Sequence, residues 1–250
     1  MKLAATHFEL YYGAPPDRHE QAIQQLEAEN IQRQYGDLPS EQIRHYQEAA
    51  HAARYDLNTA VGGPLLASRN QAYARDVSML AVQEGVVCAY MHVADNVSGR
   101  LPVIGSIERW AKMHVSLASG RRFLWIAQVL VSEQVGNAIQ QNPDAGSVLD
   151  VMYALSVYAY KRRGQPVSSY IPAQETVTAR WLESIGMTPQ EGAAVEAPMF
   201  GADSQVALQR WLGGSALEVH ETVMGKPGVS DAAYTAVQSL DPAVQKKLYY

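Results

Sequence analysis

Pro166–Met187 reads PVSSYIPAQETVTARWLESIGM. Val167–Ile171 is a short strand candidate, and Pro172 then removes a donor that a continuing ladder would need. From about Gln174 to Ile185 the pattern turns helical, and Gly186 is a C-terminal stop. A strand that feeds a helix and then another strand is the grammar of an α/β sheet. Upstream, Ser147 to about Arg163 forms a second helical segment. Val148, Val151, Met152, Leu155 and Ala159 lie at helical spacing, and Gly164 ends it. Before that comes Arg121–Val131, the most hydrophobic run in the chain. Its core, Phe123–Val131, is broken only by Gln128 and predicts a central strand buried on both faces. The polar stretch Ser132–Gly146 between them reads as a loop.

Further out, Val77–Val82 and Val86–Val93 are β-rich runs joined by Gln83-Glu84-Gly85, a hairpin signal. Leu3–Tyr12 alternates as a first strand. Asp17 to about Tyr35 is a helix with Ala22, Ile23, Leu26 and Ile31 as its apolar stripe. Pro39-Ser40-Glu41 opens a second helix carrying Ile43, Tyr46, Ala50, Ala53 and Leu57, before a break at Gly62-Gly63-Pro64. Ile107–Leu117 reads as a short amphipathic helix and Val195–Phe200 as a last short strand. Ala202–Tyr250 reads as short helices broken at Gly213-Gly214 and Lys226-Pro227-Gly228. The expected organisation is a mixed-sheet α/β domain over residues 1–200 and a helical C-terminal extension over 201–250.

Composition excludes several classes. Net charge is −5 and the longest basic block is Lys161-Arg162-Arg163, which argues against nucleic acid as a partner. Phe123–Val131 is too short to span a bilayer, and His7 and Glu9 interrupt any leader in Met1–Tyr12. Cys88 is the single cysteine and sits in a strand-like run, which suits a buried inert thiol better than a nucleophile. A reduced, soluble protein follows, cytoplasmic or held within an assembly such as a virion. Charged residues make up only 18% while tyrosines number 14 against 3 phenylalanines. Such a surface suits protein partners or self-association, or is simply that of a Gln- and Ala-rich chain. His45 and His51 do not share a helix face, and no Gly-x-Ser-x-Gly, P-loop, His-Glu-x-x-His or Cys-x-x-Cys occurs.

The element order, together with Trp181, Glu183, Gly186 and Met187 in the quoted segment, resembles the GCN5-related N-acetyltransferase superfamily. In that family a helix closes on a Leu/Tyr–Glu–x–x–Gly–Phe pattern before the next strand. The resemblance implies that Phe123–Val131 splays from Val167–Ile171. It implies acetyl-CoA as cofactor, its arm paired with the backbone of Val129 and Val131. The family's pyrophosphate loop corresponds to Glu133-Gln134-Val135-Gly136-Asn137-Ala138, with Glu133 where a basic or amide residue is usual. Asp144-Ala145-Gly146-Ser147 is the alternative, offering amides at Gly146 and Ser147. Glu133 corresponds to a general base. Leu182 stands where the family often has a tyrosine, leaving Tyr170 as a substitute proton donor. The implied activity is acetyl-CoA-dependent N-acyl transfer to an amine. The alternative is a catalytically inactive protein of that fold with a structural or interaction role, as in a viral particle.

Overall fold

The structure, a computed structural model, describes residues 2–13, 15–41, 43–44, 77–96, 123–160, 164–191, 195–198 and 205–249. Its strands are β1 (Thr6–Tyr12), β2 (Val77–Gln83), β3 (Val86–Asn96), β4 (Phe123–Val131), β5 (Pro166–Pro172), β6 (Thr188–Pro189), β7 (Val195–Pro198) and β8 (Gln205–Ser215). Its helices are α1 (Glu20–Tyr35), α2 (Glu133–Gln141), α3 (Val148–Ala159), α4 (Thr176–Ser184), α5 (Ala216–Met224), α6 (Val229–Ser239) and α7 (Pro242–Tyr249). One mixed sheet runs in the order β1-β2-β3-β4-β5-β8-β6, with β7 also on β8. Every pairing is antiparallel except β4 with β5. The fold class is therefore mixed α/β, as the alternation of strand and helix signals predicts.

The hairpin between β2 and β3 turns on Glu84 and Gly85, both at positive φ (52° and 80°), the backbone of a tight two-residue turn. One sheet face carries the main core. There Val151, Leu155, Ile185 and Trp181 pack with Val129 at its edge, the cluster expected from the helical stripes. Leu155 is fully buried, worth about 1.5–3 kcal/mol in removed apolar surface. On the other face Ile23 and Leu26 of α1 pack on Leu80, Tyr90 and Leu130.

Two stretches differ from the sequence expectation. Ser132–Gly146 is not a continuous loop. Ser132 caps α2 by accepting from the Val135 N–H, and Val135, Gly136 and Ile139 bury its inner face. Gln205–Ser215 is a strand rather than part of a run of helices, and it lies between β5 and β6, next to last in the pairing order. Gly213-Gly214, which suggests a break, sits at an irregularity in the pairing with β5, between Leu212 and Ser215; a Cβ on Gly213 would meet Met187 and Val219 side chains at 3.0 Å. The helices expected further on do follow as α5, α6 and α7. The second helix from residue 45 onward, the Gly62-Gly63-Pro64 break, Ile107–Leu117 and Lys161–Arg163 lie outside the described residues. Among those described, no helix is long and apolar enough to cross a membrane, and no His/Cys/Asp/Glu group could hold a metal ion.

Candidate functional site

β4 and β5 pair at only three positions: Leu124 with Val167, Trp125 with Ser168, and Ile126 with Ser169. The Ser169 hydroxyl donates to the Ile126 carbonyl at 2.9 Å and marks the apex. Beyond it β5 continues to Pro172 against β8 alone, while β4 runs on to Val131 against β3. The two strands diverge, as the family resemblance implies. A bulge between His92 and Val93 leaves Ala127 unmatched where the divergence starts.

Which backbone groups face the gap follows from one hydrogen bond. The Ser132 N–H donates to the Cys88 carbonyl at 2.8 Å, so Val131 and Ala89 form a non-hydrogen-bonded pair. The N–H and C=O of Val131 therefore point away from β3, into the gap. Those of Val129, two residues earlier, share that direction.

The polar stripe of α1 lies along this edge. Asn30 is buried, and its Nδ2 donates to the Val131 carbonyl at 2.8 Å while the Val131 N–H donates to its Oδ1 at 3.4 Å. A side-chain carboxamide thus pairs with β4 as a neighbouring strand would. Asn30 Nδ2 also donates to the Leu26 carbonyl at 2.6 Å, and Arg33 donates to Asn30 Oδ1. One turn earlier Glu27, only 2% exposed, accepts from Gln128 Nε2 at 3.2 Å, next to the bulge. One turn later Gln34 donates to Glu175, whose carboxylate caps α4 by accepting from the N–H groups of Val177 and Thr178. Glu27, Asn30 and Gln34 span the gap from apex to mouth.

Beside the end of β4, on its β3 side, is a cleft of about 1150 Å³ between α1, the β2–β3 turn and the start of α2. Glu133 and Ser132 line it, with Glu29, Glu84 and Arg33 as its other charged groups. Gly136 is buried beneath, and a Cβ there would lie 3.4 Å from Arg33 Nη1. A basic side chain therefore reaches the start of α2, supplied by α1 rather than by neighbouring residues. Glu133 is exposed on the first turn of α2, five residues along the chain from Gln128, which is itself two residues past the apex. Cys88 also lines the cleft, but its thiol donates to the Ala81 carbonyl and burial pushes its pKa up to about 11. It is an inert thiol at neutral pH, as its place in an apolar run suggests.

Tyr170 lies on β5 one residue past the apex, paired with Arg210 of β8. Gly146 and Ser147 are at a different joint. A Cβ on Gly146 would come within 2.3 Å of the Pro227 carbonyl, so the turn before α6 lies directly on it. Both the N–H and the hydroxyl of Ser147 donate to Asp150 at 2.7 Å. Asp150 also receives Trp181 Nε1 at 3.1 Å and Lys226 Nζ at 3.0 Å. The Ser147 N–H is engaged in the cap of α3, and Gly146 packs against the turn that leads to α6. Glu27, Asn30 and Gln34 carry no motif signal, since α1 reads by its apolar stripe alone. Only the i, i+3, i+7 spacing of its polar residues could have marked a second buried face.

No family model and no curated protein matches the sequence. Solved structures similar in chain path include the PaiA N-acetyltransferase of Thermoplasma acidophilum in complex with coenzyme A. It has a TM-score of 0.46 and 9% identity over 81% of this chain and 97% of that one. A GCN5-related N-acetyltransferase from Rhodopseudomonas palustris has a TM-score of 0.46 and 12% identity, over 86% and 98%. FeeM, an N-acyl amino acid synthase from uncultured soil microbes, has a TM-score of 0.43 and 10% identity, over 94% and 99%.

Proposed function

We propose that this chain transfers an acyl group from a coenzyme A thioester, acetyl-CoA being the simplest, to an amine. The observation that carries this is the backbone edge of Val129 and Val131, facing a gap that opens after a three-residue parallel contact and leads to the α2 N-terminus. An arm bearing secondary amides can pair with such an edge as a strand does, and the Asn30 carboxamide already makes that pairing. The cofactor's phosphates then fall at the mouth. The N–H groups of Glu133 and Gln134 at the α2 N-terminus and the guanidinium of Arg33 meet them there. Glu29, Glu84 and Glu133 oppose them, which keeps the affinity modest.

With the arm so placed the thioester lies toward the apex. The buried carboxylate there is Glu27, and we assign it as proton acceptor in place of Glu133, which stands at the mouth. An amine nitrogen attacks the thioester carbonyl, its C–N bond forms as the C–S bond breaks, and Glu27 takes the proton lost by nitrogen. The departing thiolate is protonated by Tyr170 or by water. Gly146 and Ser147 have no part in this reading. The test is a thermal shift with acetyl-CoA. At one hundred times its dissociation constant the ligand adds about 2.7 kcal/mol of stability. An unchanged melting temperature at millimolar acetyl-CoA would refute the proposal.

A further inference from the structure

We infer that α1 is a displaceable plug on the thioester slot: the Asn30 carboxamide competes with the cofactor's amide arm for the N–H and C=O of Val131. The inference rests on the acyltransferase reading above and adds regulation to it. Four observations carry it. Asn30 occupies both groups of the one residue whose edge faces the gap next to the mouth, so arm and side chain cannot be there together. Its Nδ2 is shared with the Leu26 carbonyl within α1, so release from Val131 does not leave a buried donor unpaired. The anchoring of α1 is divided. Ile23 and Leu26 hold its first half to the sheet. Ile31 packs instead with Ile43 and Leu38, away from the gap. Residues 30–34 meet β4 and α4 through Asn30 and Gln34, by polar bonds that a ligand's own polar groups can replace, while Glu27 stays against Gln128.

The fourth observation links the arm to the phosphates. Arg33 is held by Asn30 Oδ1, and its Nε is buried without a hydrogen-bond partner among the described residues. Its Nη1 already lies over Gly136 in α2. Displacing Asn30 frees this guanidinium at the cleft, so filling the slot improves the phosphate site. The observed affinity is then the intrinsic one reduced by the fraction of molecules with the plug withdrawn.

The experiment compares wild type with Asn30→Ala by calorimetry with coenzyme A and by hydrogen exchange at the Val131 amide. The expected result is a Val131 amide protected in wild type and unprotected in Asn30→Ala. The variant should bind coenzyme A about five- to tenfold more tightly, the factor given by removing one competing hydrogen-bonded pair. Bound coenzyme A should restore the protection. Equal protection in both proteins overturns the plug, because Asn30 would not be what covers Val131. Equal or weaker affinity in the variant, with coenzyme A bound by both, overturns the plug and leaves the acyltransferase reading standing. No heat from either protein at millimolar coenzyme A overturns both. If Asn30→Ala fails to fold, Asn30→Ser keeps a small polar group that cannot span to Val131, and the same outcomes apply.

Discussion

Replacing Lys226 with methionine should destabilise the fold by about 3 kcal/mol, near the lower end of the range for removing one partner of a buried pair. The Lys226 side chain is 6% exposed and that of Asp150 is wholly buried, with Nζ and Oδ1 3.0 Å apart. Lys226 also donates to the Pro143 carbonyl at 2.9 Å and to the Ser184 hydroxyl at 2.7 Å. Methionine keeps the volume, so the cost is electrostatic rather than a cavity. What is lost is the cation paired with a buried carboxylate. What softens the loss is that Ser147 and Trp181 still donate to that carboxylate. Urea unfolding gives the measurement: with an m-value of about 3 kcal/mol/M, the midpoint should fall by about 1 M without a change in m. In the double variant with Asp150→Asn no buried charge is left alone, so the combined loss should be smaller than the sum of the two single losses by at least about 1 kcal/mol. A loss below about 1 kcal/mol for Lys226→Met, or strict additivity in the cycle, would refute the idea that this pair fastens the C-terminal helices to α3.

Glu27→Gln should keep coenzyme A affinity within about twofold while lowering turnover about 10²–10⁴-fold, the usual weight of a general base; unchanged turnover would place the base elsewhere. Glu133→Gln should tighten coenzyme A binding about two- to fivefold by removing a surface charge at the phosphate end, less so in high salt. Looser binding in calorimetry would contradict the placement of the phosphates. Cys88 in the folded protein should react slowly with iodoacetamide through pH 9 and faster toward pH 11, because burial raises its pKa from 9.0 to about 11. The thiol form is the one the fold favours, so this contribution to stability is whole below pH 9 and is lost as pH rises to about 11. Rapid alkylation at pH 8 would show that the thiol is not buried as described.

Local patterning was enough for most elements. Gly186 adopts φ 82°, which few residues other than glycine tolerate, and it ends α4 one residue after the cap Ile185. The apolar run Phe123–Val131 reads as a strand buried on both faces, and β4 is covered by α1 on one side and the main core on the other. β8 escaped notice because Gly213-Gly214 looks like punctuation, and only packing under Met187 and Val219 reveals why small residues are needed there. The backbone edge at Val129 and Val131 was an expectation through the family resemblance alone. The residues that meet that edge were not expected. Asn30 is 101 positions from Val131, and Glu27 is equally far from Gln128. Periodicity reports which face of a helix is apolar, since burial of apolar surface acts without direction. A polar contact depends on where the helix is laid, and that is set by the sum of packing over the whole sheet. The sequence alone determined a hydrophobic central strand, a helix after it and a further strand; the tertiary structure decided where the two strands part and that α1 closes the gap between them.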